Sequence, residues 1–239
     1  MPINRDTSFT YLGHSTFKIK SPGGGIILID PWIQNNPGCP DNLKKLDKVD
    51  IMLITHGHFD HIGDAVDIAK EHKPTVVGIF ETVHWMQTKG VAEERCIPMN
   101  KGGTVNVEGI KVTMVNAVHS CGILDDGKII YGGEAAGYVI EFENGFKAYH
   151  AGDTAVFSDM KLISEIYKPE LAMLPIGDHF TMSPVEAAYA CRFLRPKYVI
   201  PMHYGTFPVL TGTPEKLREL TGDLKEMEII AIKPGETVS

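Results

Sequence analysis

The chain has 239 residues, of which 43% are hydrophobic and 22% are charged, and its formal net charge is −7. These proportions are typical of a globular protein that can bury a sizeable core. Nucleic-acid surfaces usually carry a basic stripe, and the acidic chain shows no basic cluster beyond Lys44-Lys45, so we expect no nucleic-acid partner. No apolar run approaches the roughly 18 residues of a membrane span, and the start lacks a signal-peptide pattern, so we expect no membrane association.

The first half of the chain is predicted to be rich in β-strands. The predicted strands cover residues 9–20, 25–30, 50–55 and 75–79, followed by hairpins over 104–115 and 138–153. Asn144-Gly145 in the second hairpin predicts a type I′ turn. Helical spacing of apolar residues predicts helices over 62–69 and 81–90. The glycine-containing segment 120–137 reads as an irregular loop, where we expect substrate specificity to be set.

The second half alternates helices and strands. Strands are predicted over 171–177, 197–203 and 228–232, and a helix over 183–194, where Ser183, Pro184 and Glu186 form an N-terminal capping pattern. A similar Thr-Pro start predicts a helix over 213–220. This order favours two sheets packed face to face with helices outside. Because polar clusters occur in both halves, we expect one domain over 1–239 in which the halves meet.

The densest group of metal-ligating residue types lies in the short stretch "HGHFDH". His56 and His58 follow a predicted strand, and Asp60 and His61 turn into the next helix. Imidazole and carboxylate are the usual ligands of zinc and related divalent ions. The pattern can offer His56 and His58 to one ion and Asp60 and His61 to a second, which predicts a dinuclear site.

Three further candidate ligands follow other predicted strands: His119 in "VNAVHS", Asp153 in "YHAGDT" and His203 in "IPMHYGT". Clustered histidine and aspartate side chains mark functional sites more often than structural ones. The sequence therefore predicts two divalent metal ions per chain. Zinc suits such a ligand set best, while manganese, iron and nickel fit it as well.

These motifs resemble those of the metallo-β-lactamase superfamily, and the resemblance covers nearly the whole chain. It is closest to the compact branch of metal-dependent hydrolases akin to the L-ascorbate-6-phosphate lactonase, through "YLGHSTFKI", "LIDPW" and "IGDHFTMSPVEAA". The resemblance implies an α+β fold, a four-layer αββα sandwich of two mixed sheets flanked by helices. It assigns three residues to the first metal, three to the second and one as the bridge, namely His56, His58 and His119; Asp60, His61 and His203; and Asp153.

A dinuclear centre predicts hydrolysis of a small ester, lactone or phosphoester by a metal-activated hydroxide. Either Asp60 or Asp153 could pass the proton to the leaving group. The net positive charge of two ions with their ligands favours an anionic small-molecule substrate. Two alternatives stay open: a phosphodiesterase or nuclease of the same superfamily, and a metal-binding protein without catalysis.

Four other residues are candidates for roles beside the metals. His179 and Asp178 follow an apolar strand, so we expect both at the site edge, with His179 donating a hydrogen bond during catalysis. Asp30 could orient a metal-bound histidine, and His14, placed in a predicted strand, could face either the site or the core.

The scattered cysteines, without a CxxC pair, favour a reducing cytoplasm. A homo-oligomer is compatible with the sequence.

Overall fold

The computed structural model describes Ile3 and residues 6–239. The strands follow in chain order: β1 (Ser8–Tyr11), β2 (Phe17–Lys20), β3 (Ile26–Ile29), β4 (Ile51–Ile54), β5 (Thr75–Ile79), β6 (Cys96–Met99), β7 (Thr104–Val107), β8 (Ile110–Asn116), β9 (Gly122–Asp125), β10 (Lys128–Tyr131), β11 (Ala136–Glu141), β12 (Lys147–His150), β13 (Leu171–Pro175), β14 (Tyr198–Met202), β15 (Glu228–Ile229) and β16 (Thr237–Val238). The helices are α1 (Phe59–Ile62), α2 (Ala65–His72), α3 (Phe80–Thr88), α4 (Met160–Tyr167), α5 (Pro184–Leu194) and α6 (Pro214–Leu220).

Two seven-stranded mixed sheets form the centre of the described part of the chain. The first has the order β16-β1-β2-β3-β4-β5-β6, antiparallel from β16 to β3 and parallel from β3 to β6. The second has the order β15-β14-β13-β12-β11-β8-β7, parallel from β15 to β12 and antiparallel beyond. The carboxyl ends of parallel neighbours meet at one edge of each sheet, which is where ligands are commonly bound.

The central strands are apolar on both faces because both faces are covered. In β4, Ile51 and Leu53 face the second sheet, while Met52 and Ile54 pack with α2 and α3. The same alternation in β13 divides its side chains between the inter-sheet core and the layer of α4, α5 and α6. The layers therefore run helix, sheet, sheet, helix, and the α+β four-layer sandwich is confirmed. The assignment of 1–239 to one domain stays a prediction, which the shared inter-sheet core supports.

One local prediction is confirmed and another is wrong. Ser183 accepts a hydrogen bond from the backbone N–H of Glu186, whose carboxylate accepts one from the Ser183 N–H, so the predicted capping box starts α5. The predicted loop 120–137 instead contains the β9–β10 hairpin, in which Ile123 is buried and pairs with Ile130. Because glycines flank this short hairpin, the alternation of its apolar and polar residues is too brief to predict strands from the sequence.

Two turns also differ from the sequence prediction. Asn144 has no positive φ, so the turn of the β11–β12 hairpin is not type I′. The Gly145 N–H bonds to the Phe142 carbonyl and Gly145 alone takes φ +83°, which makes a three-residue loop. His14 lies in the turn between β1 and β2 with φ +59°, and not in a strand.

Among the described residues, no helix combines the length and apolar character needed to cross a bilayer.

Candidate metal centre

The seven candidate ligands meet at the carboxyl ends of strands from both sheets. His56 and His58 follow β4, and Asp60 and His61 lie in α1. The other three follow strands of the second sheet: His119 after β8, Asp153 after β12 and His203 after β14. Residues that are far apart in the chain thus converge because the two sheets pack with these edges together.

The first group consists of His56, His58 and His119. The Nε2 atom of His56 is 3.0 Å from Nδ1 of His58, which is 3.3 Å from Nε2 of His119. The other ring nitrogen of His58, Nε2, is 3.2 Å from the Ser120 hydroxyl, so Nδ1 faces its two partners. Three nitrogens at this spacing can hold one divalent ion.

The second group consists of Asp60, His61 and His203, joined by His14. One ligand-type atom from each of these residues lies within 4.8 Å of those of the others. His14 Nε2 is 2.9 Å from Asp60 Oδ2, and its Nδ1 is 3.0 Å from the Thr206 hydroxyl. A neutral ring that donates from Nε2 to the carboxylate and accepts at Nδ1 satisfies both contacts. His14 therefore orients Asp60 and leaves the other three residues of the group for a second ion.

Asp153 lies between the two groups. Its Oδ2 atom is 3.0 Å from Nε2 of His203 and 3.3 Å from Nε2 of His61, on one side. The same oxygen is 3.7 Å from Nε2 of His119 and 3.9 Å from Nε2 of His56, on the other. One carboxylate oxygen therefore faces both groups, as a bridging ligand would.

Asp30 fixes the ring orientation of one histidine in each group. Its Oδ2 atom lies 2.8 Å from Nδ1 of His61 and accepts a 2.6 Å hydrogen bond from the Thr55 hydroxyl. Because the only hydroxyl proton of Thr55 goes to Asp30, its oxygen accepts from Nδ1 of His56, 3.0 Å away. Both histidines then carry their proton on Nδ1, which leaves Nε2 free to bind a metal.

The electrostatics of the first group suit metal binding. Burial lowers the pKa of three histidines, well below the ordinary value for the most buried of them: His56, His58 and His119. Neutral imidazole is the form that binds a metal. The first group is therefore ready to bind near neutral pH without first losing protons.

The second group holds opposite charges close together. Burial by itself lowers the pKa of His61, but Asp153 and Asp30 outweigh it and hold that pKa well above its usual value. Burial raises the pKa of Asp60, but the hydrogen bond from His14 and the charge of His61 outweigh it, so this pKa falls to about 2. The carboxylates are thus charged at neutral pH, and a divalent ion can replace the proton on His61.

The polar atoms that lack partners also fit a pair of cations. Four buried atoms without a hydrogen-bond partner belong to three candidate ligands: Nε2 of His61, Nδ1 and Nε2 of His203, and Oδ1 of Asp153. Buried polar atoms without partners are costly, and metal coordination relieves that cost. The donor set of imidazoles and carboxylates is the one that zinc and related ions select. The residues therefore fit two divalent metals.

The structure brings all seven predicted ligands together, and their metal-binding roles stay predictions. His179 is exposed and does not line the cavity over the metal centre, although its ring contacts Phe180, which does. Asp178 is also exposed, and its carboxylate accepts a 2.7 Å hydrogen bond from the His179 backbone. The roles of His14 and Asp30 are not visible in the sequence, since their partners lie 46 and 31 residues away along the chain.

A cavity of about 560 Å³ lies over the metal centre. Candidate ligands and Ser120 form its polar part: His58, Asp60, His119, Ser120, Asp153 and His203. Four apolar residues form the rest: Phe59, Phe180, Phe207 and Val209. Among the described residues, no lysine or arginine lines this cavity. A substrate would therefore reach the metals through a largely apolar opening.

Comparison with known proteins places the chain in a family. A sequence model described as "Beta-lactamase superfamily domain" matches residues 26–204. A UPF0173 metal-dependent hydrolase of Koribacter versatilis is 58% identical over 230 residues, covering 96% of this chain and 97% of that protein. One of Methanopyrus kandleri is 46% identical over 229 residues, covering 95% and 97%.

A solved structure agrees with these sequence matches. Igni18, a metallo hydrolase from the hyperthermophilic archaeon Ignicoccus hospitalis, is 36% identical with a TM-score of 0.85, and the match covers 97% of both chains. The isothiocyanate hydrolase from Delia radicum gut bacteria shares the fold at 20% identity and a TM-score of 0.69, covering 97% of this chain and 98% of that one. The family matches and the two packed sheets together show that the chain belongs to the metallo-β-lactamase superfamily.

Proposed function

We propose that the protein is a metal-dependent hydrolase with a dinuclear centre that cleaves a small ester, lactone or phosphoester. The position of Asp153 carries this proposal, because one of its oxygens lies within 3.0–3.9 Å of an Nε2 atom from each of four histidines. A carboxylate placed in this way would bind a divalent ion held by either group. The relatives named metal-dependent hydrolases support the proposal.

Bound divalent ions would make water nucleophilic near neutral pH and polarise the substrate oxygen. The chain's own residues would do the rest. Asp153 lies between the two histidine groups and would contact an ion bound by either. His14 keeps the Asp60 carboxylate oriented toward His203, with Asp60 Oδ2 3.9 Å from His203 Nε2. Asp60 also lines the cavity, so it is placed to pass a proton to a leaving group there. Bound ions would favour a substrate group that carries or develops negative charge.

Two other features bear on the proposal. The cavity lining offers no basic side chain for a nucleic-acid backbone, which favours a small substrate over a nuclease activity. The four cysteines are free thiols, which suits the reducing cytoplasm: Cys39, Cys96, Cys121 and Cys191. The sequence motifs resemble those of the L-ascorbate-6-phosphate lactonase. Among the described residues, however, no lysine or arginine of the cavity could bind the phosphate of such a substrate, so the lining does not support it.

The test compares metal-free protein with protein reconstituted with zinc, manganese, iron or nickel. A carboxylic ester, a lactone, a thioester and a phosphodiester serve as substrates, and Asp153→Asn serves as the control that removes the bridge. We expect at least one substrate to be hydrolysed only after reconstitution and only by the unmodified chain. If full metal loading accelerates none of them, the proposal is wrong.

A further inference from the structure

We propose that the substrate binds through an uncharged apolar group, an acyl chain or an aryl ring, attached to the bond that is cleaved. This inference rests on the proposed function, since it assigns the part of the substrate that lies beyond the metals. It starts from the apolar residues of the cavity, Phe59, Phe180, Phe207 and Val209, which we call the apolar wall.

The apolar wall gathers exposed hydrophobic side chains around one opening. Phe59 is 58% exposed, Phe180 55% and Val209 43%. They come from three separate segments, in α1 and after β13 and β14, yet they surround one opening. Contiguous exposed apolar surface that borders polar residues typically marks a binding site. The volume of ≈ 560 Å³ lies within the roughly 300–1,000 Å³ of small-molecule sites.

Part of the apolar wall is held in place by buried aromatic packing. The ring centroids of Phe59 and Phe207 each lie 5.9 Å from that of Trp32, which is buried. Trp32 in turn packs edge-on against His14 at 5.2 Å, so the wall and the metal centre share a support. Side chains fixed before binding lose little entropy when the ligand arrives. Phe59 and Phe207 therefore form a preformed surface.

The charges around the cavity exclude a second anionic group on the substrate. Apart from histidines, the ionisable residues that line it are the two carboxylates Asp60 and Asp153. A phosphate held away from the metals would face phenylalanine or aspartate and would lose hydration without gaining a partner. An acyl chain or aryl ring loses nothing in this way, and it removes apolar surface of both partners from water. The lining therefore selects an apolar substituent.

The test measures binding, so that it does not depend on turnover. Zinc-reconstituted protein is titrated by calorimetry with acetate, butanoate, hexanoate and 3-phenylpropanoate, and with 6-phosphogluconate as the polar comparison. Each carboxylate can reach the metals, while only the longer ones reach the apolar wall. We expect affinity to rise about two- to four-fold for each added methylene, and 6-phosphogluconate to bind no more tightly than acetate.

Two phenylalanine variants make the test specific. Phe180→Ala should weaken hexanoate binding several-fold and leave acetate binding unchanged. Phe80→Ala is the matched control, because Phe80 is also 55% exposed but does not line the cavity. It should behave like the unmodified chain. Both positions are exposed, so neither change should prevent folding.

The outcomes separate this inference from the proposed function. Affinity that does not rise with chain length, tighter binding of 6-phosphogluconate than of hexanoate, or equal effects of Phe180→Ala and Phe80→Ala would each overturn the apolar substrate. If affinity rises with chain length but no ester, lactone, thioester or phosphodiester is hydrolysed, the apolar site stands and the proposed catalysis fails. If a substrate is hydrolysed but affinity shows no chain-length effect, the proposed catalysis stands and the apolar site fails.

Discussion

His14 donates a hydrogen bond from Nε2 to Oδ2 of Asp60 across 2.9 Å, although the two residues are 46 positions apart in the chain. The backbone of His14 is also held in place. Its backbone carbonyl accepts hydrogen bonds from the Tyr11 hydroxyl at 2.8 Å and from the His203 N–H at 2.6 Å. The centroid of the His203 ring lies 3.9 Å away. A single turn between β1 and β2 thus positions two candidate ligands of the second metal.

His14→Ala should therefore lower the binding affinity for one of the two metal ions and leave the affinity for the other nearly unchanged. Loss of a partner that orients a ligand typically lowers metal affinity by about 10- to 100-fold. Competition titration of both chains with a chelating dye would show one affinity lowered by this factor in the variant and the other unchanged. His84→Ala is the control, because His84 is an exposed residue of α3 outside the metal centre. If both affinities of the His14 variant match those of the unmodified chain, at an unchanged melting temperature, His14 does not position Asp60.

Substitution of the candidate bridge, Asp153, and of a candidate ligand of the first group, His58, should change the metal content in different ways. His58→Ala removes one nitrogen of the first group, so we expect one ion to be lost and one retained. Asp153→Asn removes the charge that both groups share, so we expect both ions to bind weakly. Hydrolysis should be abolished in both variants. Elemental analysis alongside kcat/KM distinguishes them, and His84→Ala serves as control, since His84 is an exposed residue of α3 outside the metal centre. Near-native turnover at full metal loading in either variant would contradict the assignment.

Metal affinity should rise with pH because one ligand holds a proton in the metal-free protein. Asp153 and Asp30 overcome the effect of burial on His61 and hold its pKa well above 6.5. Binding at neutral pH must therefore release that proton, and below the raised pKa affinity gains about tenfold per pH unit. Zinc titrations in buffers of different ionisation enthalpy measure the proton released. Binding without proton release between about pH 6 and about pH 8 would show that His61 is already neutral.

His179 still carries a prediction, and the structure shows how to test it. We expect His179→Ala to keep both metals and lose catalytic efficiency, because a side chain at the site edge can donate a hydrogen bond to developing charge. Loss of such a donor typically costs on the order of 10²–10³ in turnover. Its neighbour Phe180 lines the cavity while His179 does not. The segment that carries both residues would therefore have to move toward the bound substrate for His179 to reach it. An unchanged kcat/KM with full metal content would identify His179 as a bystander.

The sequence predicts the fold and the seven candidate ligands that the structure brings together, but it does not predict the residues around them. Ligand-type residues after apolar strands are visible one by one, because residue type and strand ends are local properties. The support from His14 and Asp30 depends on contacts across 46 and 31 residues, which no local pattern reveals. The apolar wall is hidden for the same reason, since Phe59 and Phe180 read as ordinary hydrophobic residues until separate segments bring them to one opening.

The metal content of the reconstituted protein tests the central claim most directly. The account predicts close to two divalent ions per chain after reconstitution and removal of free metal, because seven candidate ligands form two groups around Asp153. Elemental analysis referenced to protein concentration gives the ratio. A reproducible ratio near two, which falls in Asp153→Asn, is the result we expect. A ratio at or below one would contradict the dinuclear centre.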